Sequence, residues 1–155
     1  MRLRIVALGH RMPAWVASGY AEYAKRMPRE YAVALTELKP ASRDSGKPST
    51  ALLAAEAVRI RAACAGCTTV VLDEHGDPWT TRQLANRLQR WREAAQDVAF
   101  VIGSADGLDD GLKRDASARF ALSALTLPHG MVRVILAEQL YRAASVLSGH
   151  PYHRD

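Results

Sequence analysis

Three apolar segments of this chain are each followed by residues that could do chemistry. Asp73 and Glu74 follow the first, the loop Gly103–Gly107 follows the second, and the third ends in Leu125–Pro128. If these segments are parallel strands, their carboxyl ends meet at one edge of a sheet, where open α/β sheets bind ligands. Glycine also lets a ligand approach the backbone closely. The arrangement therefore predicts a small-molecule site at that edge.

These motifs alone leave the chemistry open. Asp73 and Glu74 could be acid–base groups, but carboxylates beside a turn such as His75–Pro78 more often cap the turn. The Gly103–Gly107 loop lacks the three-glycine dinucleotide pattern and the Lys-Ser or Lys-Thr pair of a phosphate loop. A plain strand-to-helix turn is the alternative for it. No nucleophile elbow or Ser-His-Asp order indicates a hydrolase.

A second group of candidates lies on and after a long C-terminal helix. Apolar residues recur at steps of three and four over residues 132–147, which predicts a helix buried on two sides, by its sheet and by a second copy of the chain. Glu138 precedes Arg142 by four residues, the favourable order for an ion pair. Gly149 ends the helix. The aromatic and cationic tail beyond it is unusual for a chain end, so we expect it to contact something.

The rest of the chain alternates between strand and helix patterns. The expected strands are Leu3–Leu8, Tyr31–Leu38, Thr68–Leu72, Asp97–Ile102 and Phe120–Leu125. The expected helices are Pro13–Arg26, Ala51–Cys64, Thr81–Trp91, Leu112–Ser117 and the long helix after a tight turn at Pro128–Gly130. This order predicts an α/β fold with a mostly parallel sheet flanked by helices. In the basic loop 39–50, Arg43 and Lys47 are expected to be solvated, with contact to phosphate as the alternative.

Length and composition bound the class of protein. The 155 residues fit one domain, 1–155, and 48% apolar with 24% charged residues is ordinary for a globular protein. No run approaches the roughly 18 apolar residues of a membrane span. The N-terminus enters a strand pattern at once and lacks the shape of a signal peptide. We therefore expect a cytoplasmic protein without a membrane segment.

The net charge and the two cysteines do not decide which kind of partner the protein binds. The formal net charge of +5 suits a nucleic-acid partner, and it suits a basic enzyme of small molecules equally well. Cys64 and Cys67 close a helix instead of opening one, so the helix dipole does not lower their thiol pKa values. No second Cys or His pair stands at zinc spacing. Structural thiols are the favoured interpretation, with redox or metal work as the alternative.

Four stretches together carry a resemblance to a known family. They are RIVALGHRMPAWV at 4–16, LDEHGDPWTTRQLA at 72–85, FVIGSADGL at 100–108, and LSALTLPHGMVRVILAEQLYRA at 122–143 with the tail HPYHRD. The chain resembles the RlmH family of ribosomal RNA large-subunit methyltransferases, in the SPOUT or α/β-knot class. The family usually has a glycine and a Pro-Glu pair where this chain has Ser104, Ala105 and Asp106, and a proline or glutamine where it has Gly130.

The resemblance implies an S-adenosylmethionine-dependent enzyme. Such enzymes methylate ring nitrogen N3 of a pseudouridine in 23S rRNA of the assembled 70S ribosome, and they act as homodimers. The implied fold has a C-terminal trefoil knot that forms the cofactor pocket, a rare exception to the rule against knots. The implied cofactor-binding residues are Leu72, Gly103, Leu122, Ser123, Ala124, Leu125, Thr126 and Leu127. No metal is implied, because a sulfonium is already a potent methyl donor.

The resemblance also suggests how the C-terminal residues act. The tail of one subunit would cover the pocket of the other. Expected catalytic residues are Tyr152, His153 and Arg142, and expected substrate-binding residues are His129, Arg133 and Arg154. Arg142 could equally be only the partner of Glu138. Competing interpretations are a SPOUT enzyme for another rRNA or tRNA base and a non-catalytic ribosome-binding factor. An unrelated nucleotide-binding α/β enzyme is disfavoured by the incomplete glycine pattern.

Overall fold

The computed structural model describes residues 1–154 and has a five-stranded sheet at its centre. The strands are β1 (Leu3–Leu8), β2 (Val33–Leu38), β3 (Thr68–Asp77), β4 (Val98–Ile102) and β5 (Ala118–Phe120). Their order across the sheet is β2-β1-β4-β3-β5, and every neighbouring pair is parallel. The prediction of a mostly parallel sheet is confirmed.

Helices cover both faces of this sheet. They are α1 (Ala14–Ala24), α2 (Ser49–Ala63), α3 (Thr81–Glu93), α4 (Asp110–Asp115) and α5 (His129–Ser148). Successive strand residues point to opposite faces, so the sheet divides the buried apolar residues into two clusters. One cluster joins the strands to α3 and α5, and the other joins them to α2 and α4. Within residues 1–154, no helix is long and apolar enough to cross a membrane.

Local sequence explains where several helices begin and end. Thr80 accepts a hydrogen bond from the backbone of Gln83, whose side chain bonds back to Thr80, so a capping box starts α3. Pro128 precedes the first turn of α5, and Gly149 ends that helix in the left-handed conformation, as predicted. The expected separate turn at residues 128–130 is wrong, because α5 already begins at His129.

Other boundaries also differ from the sequence prediction. Strand β3 continues past Leu72 to Asp77, and β5 ends at Phe120 instead of Leu125. The pairing of β3 with β5 shifts register between Leu72 and Asp77, so the apolar run after Phe120 has no strand to pair with. That run leaves the sheet and becomes a loop. Smaller differences are that β2 starts at Val33 and that α4 spans Asp110–Asp115.

Candidate functional site

A pocket lies at the carboxyl edge of the sheet, where β3, β4 and β5 end. Its volume is about 490 Å³, within the usual range for small-molecule sites. Seven of the eight residues expected to hold the cofactor line this pocket: Leu72, Gly103, Leu122, Ser123, Leu125, Thr126 and Leu127. Ala124, the eighth, is not among the lining residues. The unpaired run after β5 and the loop after β4 are therefore two walls of one cavity.

The loop after β4 is folded too tightly for a side chain at its first position. A Cβ atom on Gly103 would lie 2.6 Å from the carbonyl oxygen of Gly107 and 2.8 Å from the Leu108 side chain. The Gly107 amide donates to the carbonyl of Ser104 at 2.9 Å, and Gly107 has a φ of +87°. Glycine is needed at both ends of this loop, so the motif is more than a spacing coincidence.

The wall formed by residues 122–127 is held by short polar contacts. Ser123 accepts a hydrogen bond from the Leu125 amide at 2.9 Å, and the Thr126 hydroxyl donates to Glu74 at 2.8 Å. Asp73 accepts from the backbone two residues later, at 3.0 Å. Both carboxylates line the pocket, and in this structure both brace loops. Asp73 thus has the structural role expected for it, but the turn expected at residues 75–78 is wrong, because β3 continues to Asp77.

His129, the first residue of α5, forms part of the pocket wall. Its Nε2 atom is 3.4 Å from Nη2 of Arg133. Burial lowers the pKa of His129, the positive charge of Arg133 lowers it further, and a backbone hydrogen bond involving Gly103 opposes them. His129 is therefore a neutral imidazole at physiological pH. A neutral ring can accept or donate one hydrogen bond at the pocket, but it offers no charge to a phosphate.

Arg133 lies inside the protein and is 1% exposed. It donates to Glu37 at 2.6 Å and to the carbonyl oxygen of Gly9 at 2.8 Å. Gly9 has a φ of +128°, and a Cβ there would lie 3.3 Å from both Arg133 and His129. Direct contact of Arg133 with the substrate, which the resemblance suggests, does not fit this burial. The guanidinium instead ties the start of α5 to the ends of β1 and β2.

Arg43 lies at the surface, as expected, but its guanidinium is also bound by three protein side chains. Its guanidinium bonds to Glu56 at 2.8 Å, to Asp106 at 2.9 Å and to Ser104 at 2.9 Å. Glu56 is 2% exposed on the buried face of α2. A carboxylate on an otherwise apolar helix face requires a cationic partner, and that signal was available in the sequence. The partner of Glu56 is Arg43 from the basic loop, and Arg43 also contacts the loop after β4 that lines the pocket.

The predicted catalytic residues meet in a second region, which we call the tail cluster: Glu138, Arg142, Tyr152 and His153. Arg142 donates to Glu138 at 2.8 and 2.5 Å, and the Tyr152 hydroxyl donates to the same oxygen at 3.0 Å. Arg142 lies 4.6 Å from the centre of the Tyr152 ring and 3.5 Å from Nδ1 of His153. Tyr152 also packs edge-on against Tyr141. The tail therefore folds back onto its own helix.

Electrostatics in the tail cluster fix two protonation states. Burial, then the hydrogen bond to Glu138, raises the pKa of Tyr152 to about 12. The hydrogen bond to Glu138 raises the pKa of Arg142. At neutral pH, Tyr152 is a protonated hydroxyl and Arg142 is a cation. Neither group can take a proton from a substrate in this state.

The tail cluster and the pocket are separate regions of one chain. Arg142, Tyr152 and His153 do not line the pocket, whereas His129 does. At 1.5 Å of rise per residue, Arg142 lies about 20 Å from His129 along α5. Arg154, the last residue described, is exposed. The structure thus brings the predicted cofactor residues together and the predicted catalytic residues together, but it does not join the two groups within one chain.

Metal and thiol chemistry find no support in the described chain. Within residues 1–154, no group of three or more His, Cys, Asp or Glu side chains is arranged to hold a metal ion. Cys64 and Cys67 are both free thiols. Burial, then the neighbouring Cys67, raises the pKa of Cys64 to about 11. A protonated, buried thiol is a poor nucleophile, which fits a structural role.

Comparison with known sequences gives a match over almost the whole chain. Residues 1–153 match the family model described as predicted SPOUT methyltransferase. A protein of Nitrosospira multiformis, named ribosomal RNA large subunit methyltransferase H, is 56% identical over 155 residues, covering 99% of both chains. A protein of the same name from Dechloromonas aromatica is 58% identical over 156 residues, covering 100% of this chain and 99% of its own.

Comparison with solved structures shows the same fold at low sequence identity. A probable methyltransferase from Bordetella pertussis has a TM-score of 0.58 at 20% identity, covering 92% of this chain and 96% of its own. The tRNA (m1G37) methyltransferase of Aquifex aeolicus has a TM-score of 0.58 at 14% identity, covering 99% of this chain and 74% of its own. At such identities the likeness establishes the fold alone.

Proposed function

The chain belongs to the SPOUT methyltransferase family, and from this premise we propose that it methylates ribosomal RNA of the large subunit. The methyl donor is S-adenosylmethionine, and the acceptor is ring nitrogen N3 of a pseudouridine in 23S rRNA of the assembled 70S ribosome. The observation that carries the proposal is the pocket of about 490 Å³ at the carboxyl edge of the sheet. The two close full-length relatives bear the name of ribosomal RNA large subunit methyltransferases.

The pocket suits this donor in size and chemistry. Leucines 72, 122 and 127 offer apolar walls for the adenosine, and the tight turn at Gly103 exposes backbone where a side chain would fill the space. Backbone groups of residues 122–127 can pair with the adenine edge, as in other mostly apolar sites with a few polar groups. When bound, the sulfonium supplies an electrophilic methyl group. Ala124 would only set the path of this wall, because its side chain does not line the pocket.

The work of the protein is then to position the acceptor. A base inside an RNA stem must leave its stack before its imide nitrogen can face the pocket. Holding donor and acceptor at near-attack distance lowers the barrier by up to about 7–11 kcal/mol in the best cases. A neutral His129 at the pocket wall can hydrogen-bond the flipped base. Because Arg133 is bonded to Glu37 inside the protein, its role in this scheme is to orient His129.

We propose that the catalytic centre is completed across a homodimer. The tail cluster lies about 20 Å from the pocket along α5, so the tail of one subunit would act at the pocket of the other. There, Arg142 supplies a cation for the developing imidate oxygen, and Tyr152 and His153 position the base. Arg154, which is exposed, would contact phosphate.

Three further properties belong to this proposal. The chain would form a single catalytic domain, 1–155, whose C-terminal third is threaded as a trefoil knot beside the Gly103 loop. Its excess of basic residues would contribute to rRNA docking, with affinity that falls steeply as salt rises. Its place of action would be the cytoplasm, where ribosomes are available.

The test is transfer of labelled methyl groups from S-adenosylmethionine to intact 70S ribosomes, protein-free 23S rRNA and free tRNA. We expect label on intact ribosomes alone, mapped by a reverse-transcription stop at one pseudouridine, because an N3 methyl blocks base pairing. Label on tRNA alone would contradict the proposed substrate and indicate a different SPOUT enzyme. Absence of donor binding in calorimetry would contradict catalysis and favour a non-catalytic ribosome-binding factor.

A further inference from the structure

One polar network outside the pocket reaches the pocket wall from behind. Arg43 stands in the basic loop between β2 and α2, and it does not line the pocket. Glu56 lies on α2, while Ser104 and Asp106 belong to the loop after β4. The network therefore connects three segments that are distant in sequence.

Arg43 uses most of its donors in this network. Nη1 donates to Glu56 at 2.8 Å and to the carbonyl oxygen of Ala41 at 2.8 Å. Nη2 donates to the Ser104 hydroxyl at 2.9 Å, and Nε donates to Asp106 at 2.9 Å. The planar guanidinium fork can serve these directions at once, which three donors on one ammonium nitrogen cannot do.

The far end of the network is firmly anchored. Glu56 is 2% exposed, and besides Arg43 it accepts from the Ala41 amide at 2.9 Å and from the Ser104 hydroxyl at 3.4 Å. A buried carboxylate with such partners stays in place, because its removal from them would leave a charge unpaired in the protein interior. Arg43 thus transmits the position of a fixed group on α2 to a surface loop.

The loop needs such support because its own sequence holds it only at the ends. Between Gly103 and Gly107, the loop is closed by a backbone bridge between Ser104 and Gly107, in which the Gly107 amide donates a hydrogen bond to the Ser104 carbonyl oxygen. Gly103, Ser104, Ala105 and Gly107 all line the pocket, whereas the side chain of Asp106 does not. A bond to Asp106 can therefore fix the loop from outside without occupying the ligand's space.

We propose that Arg43 is a positioning residue for methyl-donor binding: anchored on Glu56, it holds the loop Gly103–Gly107 in the shape that forms a pocket wall. This inference rests on the proposed function, since the ligand is the donor named there. Arg43 acts through the loop and makes no contact with the donor. Its loss raises the dissociation constant for S-adenosylmethionine and leaves turnover at saturating donor nearly unchanged.

The primary test is calorimetry of S-adenosylmethionine binding to Arg43→Ala and to Asp106→Asn. Hydrogen bonds to charged groups contribute enough for a loss of about tenfold in affinity. Asp106→Asn alters only the contact between Arg43 and Asp106, at an exposed side chain. It therefore tests the inference even if Arg43→Ala lowers the stability of the whole protein. We expect the double variant to bind no more weakly than Arg43→Ala, because both changes break one connection.

Two further variants separate positioning from general stability. Arg43→Lys keeps the charge but loses the fork, so we expect it to recover only part of the affinity. Arg61→Ala is the matched control: Arg61 pairs with Asp115 at 3.2 Å, and neither residue lines the pocket. It should leave donor affinity unchanged. Amide hydrogen exchange of residues 103–107 should speed up in Arg43→Ala and stay slow in Arg61→Ala.

The outcomes distinguish this inference from the function on which it rests. Wild-type donor affinity in both Arg43→Ala and Asp106→Asn would overturn the positioning role while leaving the proposed function intact. If the wild-type protein itself does not bind S-adenosylmethionine, the result contradicts the proposed function, and the positioning role of Arg43 is contradicted with it.

Discussion

The pocket and the tail cluster are built in opposite ways. The pocket is shaped by the tight backbone turn at Gly103 and by apolar side chains from the end of β3 and from the segments after β4 and β5. The tail cluster is a set of long polar and aromatic side chains around one carboxylate, Glu138. A backbone-shaped pocket is broken by adding atoms, whereas a side-chain cluster is broken by removing them. Different substitutions should therefore disrupt the two regions. Changes in the pocket should weaken donor binding, and changes in the tail cluster should lower kcat.

The largest effect is expected from Gly103→Val. A Cβ at this position would meet the Gly107 carbonyl oxygen at 2.6 Å, so the loop must move. Forced repacking of this kind costs about 1–3 kcal/mol, which corresponds to a loss of donor affinity of up to about 100-fold. Calorimetry with S-adenosylmethionine measures it.

The control for this variant is Gly66→Ala. Gly66 has a positive φ, of +78°, and a Cβ there meets nothing within 4 Å. It should cost stability through backbone strain alone and spare donor binding. Equal donor affinity in Gly103→Val and the wild type would show that this loop is not a wall of the donor site.

A smaller effect, confined to turnover, is expected from Tyr152→Ala. The change removes the hydroxyl bonded to Glu138 and the ring beneath Arg142. We expect kcat for ribosome methylation to fall by about 10- to 100-fold, as for other misplaced positioning groups, while the donor dissociation constant stays the same. A parallel loss of donor affinity would contradict the separation of the two regions.

Mixed dimers sharpen this comparison. A subunit with Gly103→Val keeps its tail, and a subunit with Tyr152→Ala keeps its pocket. If tail and pocket act across the dimer, random re-association of equal amounts should restore about a quarter of the wild-type activity, from one intact centre in each mixed dimer. If each tail acts only on its own pocket, mixing restores nothing.

The smallest expected effect is a pH dependence of the free energy of unfolding, which comes from His129 at the pocket wall. Burial and Arg133 lower the pKa of His129, so as pH falls below about 6.5 the unfolded chain takes up a proton that the folded chain refuses. The free energy of unfolding should therefore decrease as pH falls below about 6.5, until the folded-state pKa is passed. Urea unfolding at several pH values measures this.

His129→Gln is the control for the pH experiment, because glutamine keeps a hydrogen-bonding side chain without a titrating ring. Above pH 7, the free energy of unfolding should depend on pH equally in the wild type and in the variant. Below pH 7, it should fall more steeply in the wild type. Identical slopes on the acid side would show that His129 titrates normally.

The sequence predicted the layered fold and most of the pocket for clear physical reasons. Buried parallel strands are continuous apolar runs, and β1, β3 and β4 have that signature. The segment after Phe120 has it too, which explains the wrong assignment of a strand through Leu125. Whether an apolar run pairs or lines a cavity depends on the neighbouring strand, and the register shift in β3 is a tertiary feature.

Ion pairs between residues distant in sequence could not be predicted from the sequence. Arg43 and Glu56 are 13 residues apart, and Arg133 and Glu37 are 96 apart. Spacing rules cover only partners three or four residues apart on one helix, which is why Glu138–Arg142 was foreseen and these two pairs were not. The buried position of a charged residue was the usable hint, since such a charge needs a partner.

Helix α5 also fixes a rotation. Each residue turns the helix by about 100° and advances it by about 1.5 Å, so the direction in which Glu138 faces is locked to that of His129. One inserted residue between them would swing the tail to another side of the helix while leaving the pocket whole. The number of residues in this stretch is therefore constrained as firmly as its buried side chains Arg133, Leu136 and Ala137.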